Sequence, residues 1–149
     1  MLVFRIILTK YATGLHASGR AVRWNYNDVK MIYTSGSQSL SCLENIVHRS
    51  KLGLSANFSV LSIAIADDIP ISKIELNELP KNWSAFENMY LTQHIGNKWI
   101  EECATAVLSV PSSIVYEEYN YLINPNHPDF SRIKLVKTEP FLFDERIKS

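Results

Sequence analysis

The chain has 149 residues, of which 46% are hydrophobic and 20% are charged, and its formal net charge is zero. This length suits one domain with a single buried core, and the composition excludes a disordered tail protein. The charges are balanced and form no long block of one sign, which excludes a non-specific polyanion binder. We therefore treat 1–149 as one domain and expect no direct nucleic-acid binding.

The sequence contains no clear signal for export or membrane insertion. Its two cysteines, Cys42 and Cys103, form neither a disulfide framework nor a CxxC metal motif. This usage is typical of a reducing cytoplasm. The N-terminal apolar run is broken by Arg5 and has no basic region before it, unlike a signal peptide. No apolar run reaches about 18 residues, so we expect a cytoplasmic protein with no membrane span.

The hydrophobic pattern, taken in chain order, predicts several strands and two helices. The predicted strands are LVFRIIL at 2–8, KMIYT at 30–34, FSVLSIAIA at 58–66, AVLSVP at 106–111, SSIVYEE at 112–118 and RIKLVKTEPFLF from 132. The predicted helices cover about 37–50 and 84–104, and we expect Gly96 to break the second in two. Few helices among several strands, without regular alternation, predict an α+β domain with a mainly antiparallel or mixed sheet.

The first predicted helix carries a carboxylate in an unexpected place. In SQSLSCLENIVH, the residues Leu40, Leu43 and Val47 have the spacing of a buried stripe. Glu44 follows Leu40 by four residues, so helical geometry places it at the edge of that stripe, where an unpaired charge is costly. A structural alternative is that Ser41-x-x-Glu44 forms a capping box at the start of the helix.

Other polar residues have both a functional and a structural interpretation. Arg5 lies inside the first apolar run, and Arg23 precedes a turn-like NYND. Either could face a cleft, although strand alternation also allows Arg5 to lie on the wet face of the sheet. Tyr33 near a strand end lines a cleft or closes the edge of the core. Ser112 and Ser113 follow a proline and are site residues or turn residues.

The four histidines show no HxxxH or HExxH spacing, so a zinc site has little support. We expect surface or capping positions for all of them. They are His16, His48, His94 and His127.

Several blocks, taken in order, resemble the RES-domain family, which is named for an arginine, a glutamate and a serine. The resemblance covers nearly the whole chain and ends in PFLFDERI. The blocks are FRI near the start, RWN at 23–25, IYTSGSQSLSCLENIVH at 32–48, LP and W within 79–83, IGNKW at 95–99, VPSS at 110–113 and EEYNYLINPNHPDF at 117–130. Many relatives carry two glycines before their RWN, where this chain has Ala21 and Val22, so we expect a less permissive loop here.

The resemblance implies a fold related to ADP-ribosyltransferases and a toxin of a bacterial toxin–antitoxin pair that acts on NAD. It assigns the name-giving residues to Arg23, Glu44 and Ser112, and it makes Arg5 and Tyr33 further pocket residues. Glu44 would stabilise the positive charge that develops on the ribose or bind its hydroxyls. Arg23 and Arg5 would hold the pyrophosphate. Tyr33 would stack on the nicotinamide ring, and Ser112 would hydrogen-bond the nicotinamide amide or the ribose.

On this basis the predicted catalytic residues are Glu44, Arg23 and Tyr33, and the predicted substrate-binding residues are Arg5, Arg23, Tyr33 and Ser112. NAD is expected to be a consumed substrate and not a redox cofactor, which agrees with the absence of a GxGxxG motif from the sequence. The mechanism requires no metal.

Three functional hypotheses stay open at this point. The first is cleavage of NAD by hydrolysis or phosphorolysis, and the second is transfer of ADP-ribose to a protein. The third is an inactive relative that serves only as the binding partner of an antitoxin. The resemblance also implies a cognate antitoxin with a DNA-binding domain and assembly with it into a hetero-oligomer.

Overall fold

A seven-stranded sheet forms the centre of the computed structural model, which describes residues 1–48 and 56–147. The strands are β1 (Leu2–Leu8), β2 (Ile32–Ser35), β3 (Phe58–Ile65), β4 (Ile71–Lys73), β5 (Val107–Pro111), β6 (Tyr119–Ile123) and β7 (Ile133–Phe141). The helices are α1 (Gln38–His48) and α2 (Met89–Glu102). The strand order is β4-β5-β6-β2-β1-β3-β7, and only the β4–β5 pair among these neighbours is parallel. The predicted α+β fold with a mixed sheet is confirmed.

The predicted strand at 112–118 is wrong. This segment is a turn between β5 and β6, and it is closed by hydrogen bonds from the Ser112 amide to the Glu118 carbonyl (2.8 Å) and from the Glu118 amide to the Val115 carbonyl (2.9 Å). The next strand therefore begins at Tyr119. The short edge strand β4 was not predicted, since three residues with only one partner strand leave a weak pattern.

The inward face of α1 also differs from the predicted apolar stripe. Leu40 is buried, but Leu43 and Val47 are 41% and 57% exposed. The face that turns towards the sheet instead carries Glu44 together with other polar side chains that line a cavity. The predicted helix end near 50 lies outside the described residues.

A serine outside the helix caps α1. The Leu40 amide donates to the Ser37 hydroxyl at 3.1 Å, and the helix begins at Gln38. Glu44 lies in the second turn, too far along the helix to satisfy its first amides. The capping-box alternative for Glu44 is therefore wrong.

The second helix runs unbroken through Gly96, contrary to the prediction of a break. A Cβ atom at Gly96 would lie 1.7 Å from the carbonyl oxygen of Trp24, so the glycine allows the helix to pack directly against that backbone. The helix is shorter than predicted because a 3₁₀ turn, Phe86–Asn88, precedes it. It ends where Cys103 adopts a left-handed conformation with φ of 51°.

The apolar core of the described residues forms three clusters, of which two lie around β1 and β3 and the third packs α2 against β5 and β6. The third cluster contains the three tryptophans, and Trp24 and Trp83 have ring centroids 6.0 Å apart. Within the described segments, neither helix is long and apolar enough to cross a bilayer.

Candidate active site

A cavity of about 290 Å³ opens where α1 faces strands β1, β2 and β6. Four of the five predicted site residues line it, namely Arg5, Arg23, Tyr33 and Glu44. The fifth, Ser112, is fully buried and contacts Glu44 from behind. The fold thus brings together residues that are far apart in the sequence.

Glu44 is held by three hydrogen-bonding groups. Its Oε1 atom accepts from the Ser112 hydroxyl at 2.8 Å and from the Asn120 amide at 2.7 Å, and its Oε2 atom lies 3.2 Å from His48 Nε2. Burial acts to raise the pKa of Glu44, but the hydrogen bonds from His48, Asn120 and Ser112 outweigh it and hold the pKa below its usual value. The side chain, 18% exposed, therefore carries a fixed negative charge at the cavity wall.

Ser112 is bonded in both directions. Its hydroxyl hydrogen is donated to Glu44, while its oxygen accepts from the amides of Ile114 and Val115 at 3.0 and 3.1 Å. A hydroxyl has one hydrogen and two lone pairs, so these bonds use its full capacity. This arrangement differs from the predicted contact of Ser112 with substrate, and it gives Ser112 the position of a support for Glu44. The neighbouring Ser113 lines the cavity.

Asn120 is oriented by a second serine. The Ser35 hydroxyl donates to Asn120 Oδ1 at 2.8 Å, which turns the amide nitrogen of Asn120 towards Glu44. Ser35 is buried on β2, and Asn120 pairs with it on β6. The two strands thus fix the orientation of the carboxylate on α1.

The RWN segment forms a loop whose three residues have different surroundings. Trp24 enters the core, Arg23 faces the cavity and Asn25 is buried at the centre of the loop. Asn25 Oδ1 accepts from the Tyr33 hydroxyl at 2.5 Å. Asn25 Nδ2 donates to the carbonyls of Arg20, Tyr26 and Val29. The asparagine thereby closes the loop that carries Arg23.

Helix α2 supports the same loop from the other side. The Thr92 hydroxyl donates to the carbonyl of Arg23, and Gln93 Nε2 donates to the carbonyl of Val22 at 2.9 Å. Together with the close approach at Gly96, these bonds fix the backbone of the loop.

Two N–H donors of the Arg23 side chain are unpaired within the part of the chain that the structure describes. Its Cζ atom lies 5.8 Å from the centroid of the Trp83 ring. Its Nε and Nη1 atoms are buried, and neither has a hydrogen-bond partner among the described residues. Burial lowers the pKa of Arg23, and the nearby Glu44 carboxylate opposes that effect. A guanidinium beside a cavity whose buried N–H groups have no acceptor among the described residues is suited to bind an anion.

Arg5 and Tyr33 form further parts of the wall. Arg5 Nη1 donates to the carbonyl of His16 at 2.8 Å, and burial lowers the pKa of Arg5. The Tyr33 hydroxyl is bonded to Asn25 and also accepts from the Trp24 amide at 3.0 Å. Burial raises the pKa of Tyr33, although the hydrogen bond from Trp24 and the charge of Arg23 oppose this. The phenol is therefore neutral, and its ring is the part that a ligand can contact.

The family model for the RES domain matches residues 3–144. The chain belongs to the RES-domain family. The resemblance inferred from the sequence blocks is confirmed. The residues that the resemblance assigns to the family's name lie at one site, with Arg23 and Glu44 in the cavity wall and Ser112 behind Glu44.

Curated relatives of this RES-domain protein are similar over most of their length. It is 38% identical over 128 residues to "Prs ADP-ribosylating toxin" of Sphingobium sp. (strain YBL2), a match that covers 84% of this chain and 79% of the relative. It is 33% identical over 153 residues to "Toxin Res" of Yersinia enterocolitica, covering 99% and 100%. A solved structure, the M. tuberculosis MbcT–MbcA toxin–antitoxin complex, contains a chain with the same fold: the TM-score is 0.76 at 13% identity, over 95% of this chain and 84% of that one.

Two of the residues that contact Glu44 in this RES-domain protein were not predicted from the sequence. Asn120 lies within YNYLI, where an asparagine is unusual for a strand, and this was the available signal. His48 was expected at the surface or in a cap. Its side chain is 44% exposed, but it lines the cavity and contacts Glu44. The signal in this case was the helical spacing of four residues between Glu44 and His48.

Proposed function

We propose that this RES-domain protein is the toxin of a toxin–antitoxin pair and an enzyme that cleaves the bond between nicotinamide and ribose in NAD. Family membership and the toxin names of the relatives support the biological role. The site supports the reaction, with NAD as a consumed substrate.

The observation that carries the proposal is the fixed charge of Glu44 on the cavity wall. When the bond to nicotinamide breaks, the ribose carbon acquires positive charge, and a carboxylate beside it lowers the energy of that transition state. The hydrogen bonds of Ser112, Asn120 and His48 keep Glu44 ionised and oriented before substrate arrives. A preorganised charge of this kind needs no rearrangement during the reaction.

The two arginines bind the phosphates of NAD. NAD carries a pyrophosphate, and Arg23 offers buried N–H groups that have no partner among the described residues. Arg5, whose Nη1 is bonded to a backbone carbonyl, adds a second positive charge to the same cavity. Tyr33 presents its ring, so the nicotinamide can stack against it while the hydroxyl stays bonded to Asn25.

The acceptor of the ADP-ribosyl group distinguishes two candidate reactions. Water or inorganic phosphate would give NAD hydrolysis or phosphorolysis. A protein acceptor is the second candidate, and the 38% identical relative named as an ADP-ribosylating toxin favours it.

Product analysis tests the proposal and separates these reactions. Purified protein is incubated with NAD in buffer with and without phosphate, and in the presence of a cell lysate, and the nicotinamide and ADP-ribose products are identified by mass spectrometry. Free ADP-ribose indicates hydrolysis, a phosphorylated ADP-ribose indicates phosphorolysis, and a modified protein indicates transfer. If no condition releases nicotinamide, the proposed activity is wrong.

The toxin role implies a cognate antitoxin with a DNA-binding domain that assembles with this chain. This proposal is supported by the MbcT–MbcA toxin–antitoxin complex, which contains the chain with the same fold. Expression of the protein with and without the product of an adjacent gene tests this role. We expect that the protein alone arrests growth and that the product of the adjacent gene relieves the arrest. We also expect the two proteins to co-purify as a hetero-oligomer.

A further inference from the structure

We propose that His48 is a catalytic residue that takes the proton from the water molecule attacking the ribose carbon. This inference rests on the proposed NAD cleavage and specifies the path of its proton. It concerns a residue outside the three that name the family.

The contact between His48 and Glu44 determines which nitrogen of the imidazole is free. A carboxylate only accepts hydrogen bonds, so the hydrogen between the two groups belongs to His48 Nε2, which lies 3.2 Å from Glu44 Oε2. The other ring nitrogen, Nδ1, then carries a lone pair. It has no hydrogen-bond partner among residues 1–48 and 56–147, and the side chain is 44% exposed at the cavity. Water can therefore reach it.

The other described groups in the cavity wall are poor bases. Arg5 and Arg23 are cations without a lone pair to offer, and the Tyr33 hydroxyl is occupied by Asn25 and the Trp24 amide. The carboxylate oxygens of Glu44 already accept hydrogen bonds from three donors, which lowers the pKa of Glu44 and makes it a weaker base. Among the described residues, the remaining polar side chains of the wall are hydroxyls, amides and the Trp24 indole, which do not take up protons near neutral pH. Imidazole is the side chain that most often acts as a general base at such pH.

The reaction balances with His48 in this role. The bond from the ribose carbon to nicotinamide breaks, and its electron pair leaves with nicotinamide, which becomes neutral. A bond forms between the water oxygen and the ribose carbon, and the water proton moves to Nδ1 of His48. The resulting imidazolium is stabilised by Glu44 and returns its proton to solvent. The sum is NAD and water giving ADP-ribose, nicotinamide and one proton.

The test uses His48→Gln, which keeps an amide donor for Glu44 but has no nitrogen that can take up a proton. In phosphate-free buffer at saturating NAD, we expect the rate of nicotinamide release to fall about 10²-fold to 10⁴-fold, with KM changed only a few-fold. The exposed His94→Gln on α2 is the matched control and should match wild type. Circular dichroism and thermal unfolding confirm that the variants are folded, and His48→Ala with added imidazole provides a second test by rescue.

Azide separates a base from a residue that only positions Glu44. Azide is an anionic nucleophile with no proton to lose, so it should restore His48→Gln to the rate of wild type with azide and yield an ADP-ribosyl azide. A variant as fast as wild type without azide would overturn the inference, as would a slow variant that azide does not rescue. A wild type that reacts only with phosphate, already an anion, would also overturn it. A wild type that never consumes NAD would instead contradict the proposed function itself.

Discussion

Asn120 on β6 donates to Glu44 on α1, with 2.7 Å between Asn120 Nδ2 and Glu44 Oε1, although the two residues are 76 positions apart in the chain. Ser35 on β2 fixes the amide from its other side. The orientation of the carboxylate is thus set by the sheet and not only by its own helix.

Replacing Asn120 with aspartate should raise the pKa of Glu44. The change removes a donor and places a second negative charge beside Glu44, and both effects favour the protonated carboxyl. The titration of the Glu44 side-chain carboxyl carbon, followed by NMR, should therefore shift to higher pH. Asn97→Asp, an amide-to-carboxylate change on α2 outside the cavity, should leave that titration in place. An unshifted titration for Asn120→Asp would show that this bond does not tune Glu44.

Replacing Ser112 with alanine should destabilise the fold. The change leaves the partly buried amides of Ile114 and Val115 without their acceptor and removes a donor from Glu44. We expect the free energy of unfolding in urea to fall by about 1–3 kcal/mol. Ser113→Ala, one position along, should change it by less than about 0.5 kcal/mol. Equal stabilities for the two variants would contradict the role given to Ser112.

Replacing Gly96 with alanine should reverse the usual effect of this substitution. In an ordinary helix position alanine is more stable than glycine by about 0.5–1 kcal/mol. Here the new Cβ would meet the Trp24 carbonyl, a backbone atom that cannot swing aside, so we expect a loss of about 1–3 kcal/mol. NAD cleavage should also weaken, because the displaced loop carries Arg23. Thermal unfolding measures the loss of stability, with Lys98→Ala at an exposed position of the same helix as the control. A Gly96→Ala variant more stable than wild type would refute the prediction.

Glu44 should contribute to stability only above acidic pH. Its pKa is lower in the folded state than in the unfolded chain, where a glutamate titrates near about 4.3. The contribution is therefore present above that value and is lost as pH falls through the folded-state pKa. Unfolding free energies of wild type and Glu44→Gln, measured at near-neutral pH and again at the lowest pH where both still fold, give the check. The difference in unfolding free energy between wild type and Glu44→Gln should be smaller at the lower pH. A difference that does not change with pH would argue against a lowered pKa of Glu44.

The helical pattern around Glu44 shows what sequence reasoning could and could not provide. Spacing identified the helix and singled out its carboxylate, but it misplaced Leu43 and Val47, which are exposed. An apolar stripe predicts burial only where the partner surface is apolar, and α1 instead turns a polar face towards a cavity. Similarly, local propensity predicts a break at Gly96, whereas the tertiary contact with Trp24 explains the glycine.

The partners of Glu44 required the three-dimensional structure. The family resemblance indicated Arg23, Glu44 and Ser112, but the contact of Asn120 with Glu44 depends on how β6 lies beside β2. Strand register is a property of pairing between distant segments, which no local window contains. The turn at 112–118 was missed for a related reason, since its hydrogen bonds to the Ser112 hydroxyl have no signature in residue periodicity.

The central claim is that the carboxylate of Glu44 drives cleavage of NAD, and the most direct measurement is nicotinamide release by purified wild type beside Glu44→Gln. Glutamine keeps the shape of the side chain and an oxygen that can accept from Ser112, but it has no charge. We predict that wild type releases nicotinamide and that the folded variant is about 10²-fold to 10³-fold slower. Equal rates for the two proteins, or no release by wild type with or without phosphate, would contradict the claim.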